Sequence, residues 1–203
     1  MRTLGLTLLT FMCVTTALAQ TGQSAAPEVQ TLFEHLQEGA TASEAASKLE
    51  KLGKESAAAR KYISGHLPAL IKSSRGRVWV YSVQLAGDLK LKTAAPVLAP
   101  YLQQWNTIAG MTDFAATARF GNDPAAKSLV EIGEPSVRPV ARVLEEGNKI
   151  GRWRSARILL HIGSPAALLA LRKHVPSEKD PRLRGYIEDS LKTRPRTAAG
   201  NRQ

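Results

Sequence analysis

The chain has 203 residues, 43% hydrophobic and 22% charged, with 28 Lys/Arg against 17 Asp/Glu and a formal net charge of +11. That length suits one domain of ordinary size, and the balance is that of a soluble globular protein rather than a disordered one. One Cys excludes a disulfide framework or a thiolate metal cluster, and four scattered His with no HExxH pairing argue against catalytic zinc. There is no GxGxxG, P-loop or GxSxG motif, so the usual cofactor, nucleotide and hydrolase signatures are missing.

In chain order, Met1–Ala19 comes first and reads as an address. Arg2 precedes an apolar run of Leu, Phe, Met, Cys and Val, and Ala17-Leu18-Ala19 supplies small residues before Gln20. This is the layout of a secretory signal peptide. Leu4–Ala19 is sixteen residues, some of them Thr or Gly, short of the roughly twenty needed to cross a bilayer. Cleavage is therefore favoured over an uncleaved anchor. A lipoprotein reading would use Cys13, but Phe11-Met12 in front of it are bulky where small residues are expected. The expected mature chain begins near Gln20, lacks Cys, carries a charge of +10 and works outside the cytoplasm, secreted or periplasmic. Residues 20–27 are small and polar and read as a flexible leader.

Next, Glu28–Gly39 carries Val29, Leu32, Phe33 and Leu36 at helical spacing and is expected to cap one end of a helical array. Then a pattern recurs. Ala42–Gly53, Trp79–Lys90, Asn122–Gly133 and Arg152–Gly163 superimpose without gaps. Small residues coincide at Ala45-Ala46, Ser82-Val83, Ala125-Ala126 and Ser155-Ala156. Four residues after the first of each pair come Leu49, Ala86, Leu129 and Leu159, then Leu52, Leu89, Ile132 and Ile162, then Gly53, Lys90, Gly133 and Gly163. A partial fifth copy, Pro181–Lys192, places Arg184, Ile187 and Leu191 in matching positions and is expected to cap the far end. Spacings of three and four put these residues on one helix face, and Gly past the last apolar residue is a stop.

A second helix comes after each first one. Pro135 and Pro165 open two of these, with stripes Val137, Val140, Ala141, Leu144 and Ala167, Ala170, Leu171. The second copy offers Ala94, Val97, Leu98 and Tyr101. Lys54–Ser73 reads as one longer helix with stripe Ala59, Tyr62, Ile63, His66, Leu70, bent near Gly65 and Pro68. Gln104–Asn122 interrupts the pattern with Trp105, Met111, Phe114 and Phe120; burial of its aromatics is favoured over a loop that projects to a partner. Residues 193–203 have no apolar stripe and read as a disordered basic tail.

A two-helix unit cannot bury its stripe alone, whereas several stacked units can. Arg152-Trp-Arg-Ser-Ala-Arg-Ile-Leu-Leu-His-Ile-Gly-Ser-Pro-Ala-Ala and Asp123-Pro-Ala-Ala-Lys-Ser-Leu-Val-Glu-Ile-Gly-Glu-Pro resemble HEAT repeats. The resemblance spans roughly residues 42–191 and implies an all-α fold: an α-solenoid of about four HEAT-like helical hairpins plus capping helices, over residues 28–192. It also implies an interaction scaffold rather than an enzyme. The family's Arg near the start of the first helix matches Arg152 and Arg184, whereas Ala42, Trp79 and Asn122 occupy that place elsewhere. The competing reading is an irregular helical bundle in which Leu and Ala recur by composition.

The charge is lopsided. Residues 138–203 hold fifteen Lys/Arg and six Asp/Glu, whereas residues 20–137 hold twelve and eleven. Helical spacing puts Arg154, Arg157 and His161 together, and Arg172, Lys173, Arg182, Arg194 and Arg196 extend the basic run. These Lys/Arg are the candidate anion- or partner-binding residues; the competing reading is a solvated basic face. No catalytic, metal or cofactor residue is nominated, because His66, His161, His174, Asp88, Asp113 and Glu131 are isolated within helical patterns. The expected function is therefore a non-catalytic, extracytoplasmic scaffold for an unidentified protein partner. The alternative is a module that binds an anionic membrane surface, an envelope polymer or, less compatibly with export, nucleic acid.

Overall fold

Apolar residues three and four apart bury one stripe of a helix and leave the other face to water. The computed structural model describes residues 25–104 and 123–193, and these are built of such helices throughout. Among the described residues there is no strand, and no helix is long and apolar enough to cross a membrane. The all-α expectation is met. The expected signal peptide, the leader before Ala25, the insertion beyond Gln104 with Trp105 and Phe114, and the tail beyond Thr193 lie outside the described residues.

In order, the elements are α1 (Ala25–Gln37), α2 (Ala42–Glu55), α3 (Ala57–Ser73), α4 (Gly76–Asp88) and the short α5 (Ala95–Leu98). After a 3-10 stretch, Ala99–Gln103, come α6 (Pro124–Ile132), α7 (Val137–Glu146), α8 (Lys149–Ile162), α9 (Pro165–His174) and α10 (Pro181–Thr193). Side-chain caps start five of them, α10 through Asp180, which accepts from the Arg182 amide (3.0 Å). Ser56 accepts from the Ala59 amide (3.2 Å), Asp123 from Ala126 (3.1 Å), Asn148 from Gly151 (2.8 Å) and Ser164 from Ala167 (3.2 Å), each satisfying a donor the helix itself leaves open. α5 is short because Pro100 has no amide to donate, and the chain tightens into the 3-10 stretch.

Packing runs in chain order. α2 lies against α4, α4 against α6 and α6 against α8; α3 meets α4 and α5, α7 meets α8 and α9, and α10 meets α8. Leu49, Ala86, Leu129 and Leu159, the repeated positions, are all fully buried, and Leu191 packs partly buried against the same core. α1 buries Val29, Leu32, Phe33 and Leu36 as its spacing requires, against α2 and α3. It begins at Ala25, three residues earlier than the sequence pattern indicates.

The joints between neighbours are tight where the sequence is small. Ser128 of α6 donates its hydroxyl to the Val83 carbonyl of α4 (2.8 Å), and a Cβ placed on Gly87 would come within 2.9 Å of the Ser128 Cα. Gly151 of α8 is similar: its Cβ would stand 2.8 Å from Gln103 Cγ.

Three local expectations need correction. Gly53 does not end α2, which runs on to Glu55; Gly53 is buried inside the helix, where a Cβ would meet Leu89 at 2.7 Å. The glycine is there for contact, not for a turn. α3 begins at Ala57 rather than Lys54, Pro68 lies inside it, and its buried stripe is Ala59, Ile63, Leu67, Ile71. His66 is exposed, stacked on Tyr62 at 4.0 Å, so Leu67 takes the core position assigned to it. On α7, Val143 joins the buried face and Ala141 is only half-buried.

Lys90 is the most informative departure. Gly133 and Gly163 end their helices with positive φ (77° and 63°), and Lys90 does the same at 49°. The Leu91 amide donates to the Ala86 carbonyl (2.9 Å) and the Lys90 amide to Gly87 (2.8 Å), the paired bonds of a Schellman ending whose left-handed position normally goes to Gly. A side chain there is strained by about 1 kcal/mol. Lys90→Gly is expected to raise stability by roughly that amount, read as a higher urea midpoint; an unchanged or lower midpoint would mean that the Lys90 side chain contributes something its conformation conceals.

Candidate functional site

The basic last third folds as α8, α9 and α10, and its cations divide into two groups. One group turns inward. Arg152 of α8 grips Glu178, in the connection to α10, with two bonds: Nε to Oε2 (3.0 Å) and Nη2 to Oε1 (3.2 Å). Its Nη1 donates to the Gly147 carbonyl (3.1 Å). His174, at the end of α9, donates from Nε2 to Glu178 Oε2 (2.7 Å), and the Asp180 amide donates to Oε1 (2.8 Å). The Glu178 side chain is 0% exposed, and His174 is also buried. Four donors on one buried carboxylate is what a buried charge requires.

Burial by itself would raise the Glu178 pKa, but the Asp180 amide, His174 and Arg152 outweigh it and hold the carboxyl below its usual range. Next door, Lys149 pairs with Asp180 (3.0 Å) and lowers its pKa to about 2, against some desolvation and with help from the Arg182 and Leu183 amides. Both carboxylates of the α9–α10 connection are thus committed to α8.

Arg154 belongs to a second inward contact. Its Nε meets Asp123 Oδ2 (3.2 Å) while Nη1 donates to the carbonyls of Leu102 (3.1 Å) and Gln104 (2.7 Å). The same Asp123 caps α6 through Oδ1. Arg154 therefore fastens the point where the described chain leaves at Gln104 to the point where it returns at Asp123. It is a structural clamp, 17% exposed in its side chain, and not the open anion contact that its helical position suggests. Arg157 is half-buried beside His161, whose Nδ1 donates to the Arg157 carbonyl (3.2 Å).

The other group turns outward. Arg172 and Lys173 stand exposed in the last turn of α9, and Arg182 is exposed in the first turn of α10. Arg184, matched above to the family's Arg, and Lys179, which the sequence did not single out, are also exposed. Arg194 and Arg196 lie outside the described residues. Trp153 of α8 is half-buried and tilts against Tyr186 of α10 at 5.4 Å.

The Glu178 centre was only partly legible in advance. His174 and Glu178 are one helical turn apart, which spacing could have flagged, but Arg152 lies 26 residues away, and only the fold brings it in. Among the described residues no group of three or more His, Cys, Asp or Glu is placed to hold a metal ion. Comparison with protein-family models, with curated proteins and with solved structures found no match.

The buried centre generates two predictions. Arg152→Ala strands a buried carboxylate and is expected to cost about 3 kcal/mol, seen as a lowered urea midpoint; a loss below a third of that would mean water reaches Glu178. Since Glu178 and Asp180 have folded pKa values below their unfolded ones, their stabilisation is complete above about pH 4.5 and fades as the pH falls through the folded values, towards pH 2 for Asp180. Urea midpoints should fall from pH 6 to pH 3, and fall less when Glu178→Leu is combined with Arg152→Met. An equal fall in both chains would put the acid sensitivity elsewhere.

Proposed function

We propose that this chain is a non-catalytic, extracytoplasmic interaction scaffold: an α-solenoid of about four HEAT-like hairpins, with α1 and α10 as its caps, exported through cleavage near Ala19. The supporting observation is the serial packing of α2 on α4, α4 on α6 and α6 on α8, with the repeated Leu/Ala positions buried along it. Stacked helix pairs touch their neighbours and leave extended surfaces for a partner. A second reading, an anion-binding module for an anionic membrane surface or envelope polymer, is favoured by the exposed Arg172, Lys173 and Arg182.

The test is capture and export together. Fractionation and N-terminal sequencing should find the chain outside the cytoplasm and starting near Gln20. Used as bait in envelope extract, that chain should retain a discrete protein saturably and in fixed ratio. Retention of no protein, together with turnover of a small substrate, would overturn the scaffold reading; salt-sensitive binding to anionic vesicles without a protein partner would favour the second.

A further inference from the structure

The stretch from Arg172 to Arg184 contains five cations and two carboxylates. Glu178 and Asp180 face inward on Arg152, His174 and Lys149. Arg172, Lys173, Lys179, Arg182 and Arg184 are exposed, and among the described residues no ion pair joins any of them to a carboxylate. The fold thus spends the local negative charge internally and leaves the positive charge outside.

Local helix electrostatics bear on both helix ends that carry these cations. Arg172 and Lys173 suit the C-terminal turn of α9, where the helix dipole favours cations. Arg182 sits in the first turn of α10, an end that Asp180 caps by accepting from the Arg182 amide (3.0 Å) while its charge is also taken by Lys149.

Apolar exposure coincides with the charge. Leu169 (52% exposed) and Tyr186 (38%) are the large hydrophobic side chains that stand exposed among the described residues. Leu169 lies three and four residues before Arg172 and Lys173 on α9, and Tyr186 lies four after Arg182 on α10, so each shares a helix face with those cations. We propose that this end of the molecule docks an acidic segment of a partner protein that also carries Leu or aromatic side chains. The inference rests on the scaffold reading and names its partner's chemistry. A bare polyanion would leave Leu169 and Tyr186 unused, and a lipid surface would call for a continuous apolar stripe that α9 and α10 do not expose.

The test titrates the full chain from Gln20 with a fluorescein-labelled peptide in which Glu pairs alternate with Leu and Phe. Polyglutamate of equal length, a single-stranded oligonucleotide and phosphatidylcholine–phosphatidylglycerol vesicles serve as comparators. The mixed peptide should bind most tightly. Combining Arg172→Glu, Lys173→Glu and Arg182→Glu should weaken it about tenfold or more, with the helical circular dichroism unchanged. The charge-matched set Lys61→Glu, Lys92→Glu and Arg138→Glu, exposed elsewhere, should weaken it far less. Leu169→Ser with Tyr186→Ser should abolish the preference over polyglutamate. Equal loss from both charge sets, equal affinity for polyglutamate, or tighter binding to the oligonucleotide or vesicles would each overturn the proposal. A partner protein retained equally by the Arg172/Lys173/Arg182 reversal would overturn this surface while leaving the scaffold reading intact.

Discussion

The stacking of these helices turns on a backbone-to-backbone approach between α4 and α6. Gly87 faces Ser128 with no room for a methyl group, and the Ser128 hydroxyl reaches across to the Val83 carbonyl. Helices this near can bury Leu129 and Ala86 completely, because side chains that small let the backbones approach and the larger ones fill the flanks. Gly53 of α2 against Leu89, just past α4, and Gly151 of α8 against Gln103 of the 3-10 stretch are further close approaches of this kind. The packing of α4 on α6, the middle link of the serial packing behind the proposed solenoid, depends on this narrow seam.

Charge is organised by the same packing. Because α8 presents Arg152 and Lys149 to the α9–α10 connection, Glu178 and Asp180 are drawn in, and the surface around them becomes more positive than its composition indicates. The buried centre fixes where α10 starts, and the exposed Arg172, Lys173 and Arg182 are displayed around it. A buried ion pair is weak evidence for stability when compared with an apolar core; what it does here is tie the connection before α10 to α8 and α9, since Arg152, His174 and the Asp180 amide all donate to Glu178.

Much of this was legible in the residues. The small pairs and the Leu, Leu/Ile repeats located α2, α4, α6 and α8 because burial enforces helical spacing. Spacing failed where one residue type serves two ends. Gly53 reads as a stop and is a contact, and His66 reads as core until Leu67 fills the place; Lys90, aligned with Gly133 and Gly163, does occupy the glycine conformation of that position. Arg154 shows the limit most clearly. Its helix position groups it with Arg157, but its partners, Asp123 and the Leu102 and Gln104 carbonyls, are distant in sequence and no local pattern reveals them.

The most direct test of the seam is a comparison of two alanines by chemical denaturation. Gly65, exposed within α3, has nothing within 4 Å of a built Cβ, so Gly65→Ala should stabilise by about 0.5–1 kcal/mol through helix propensity alone. Gly87→Ala gains the same propensity but must push the α6 backbone away, and should destabilise by roughly 1–3 kcal/mol. Opposite signs would bear out the account. Two stabilising alanines would contradict it, because α4 and α6 would then have room between them.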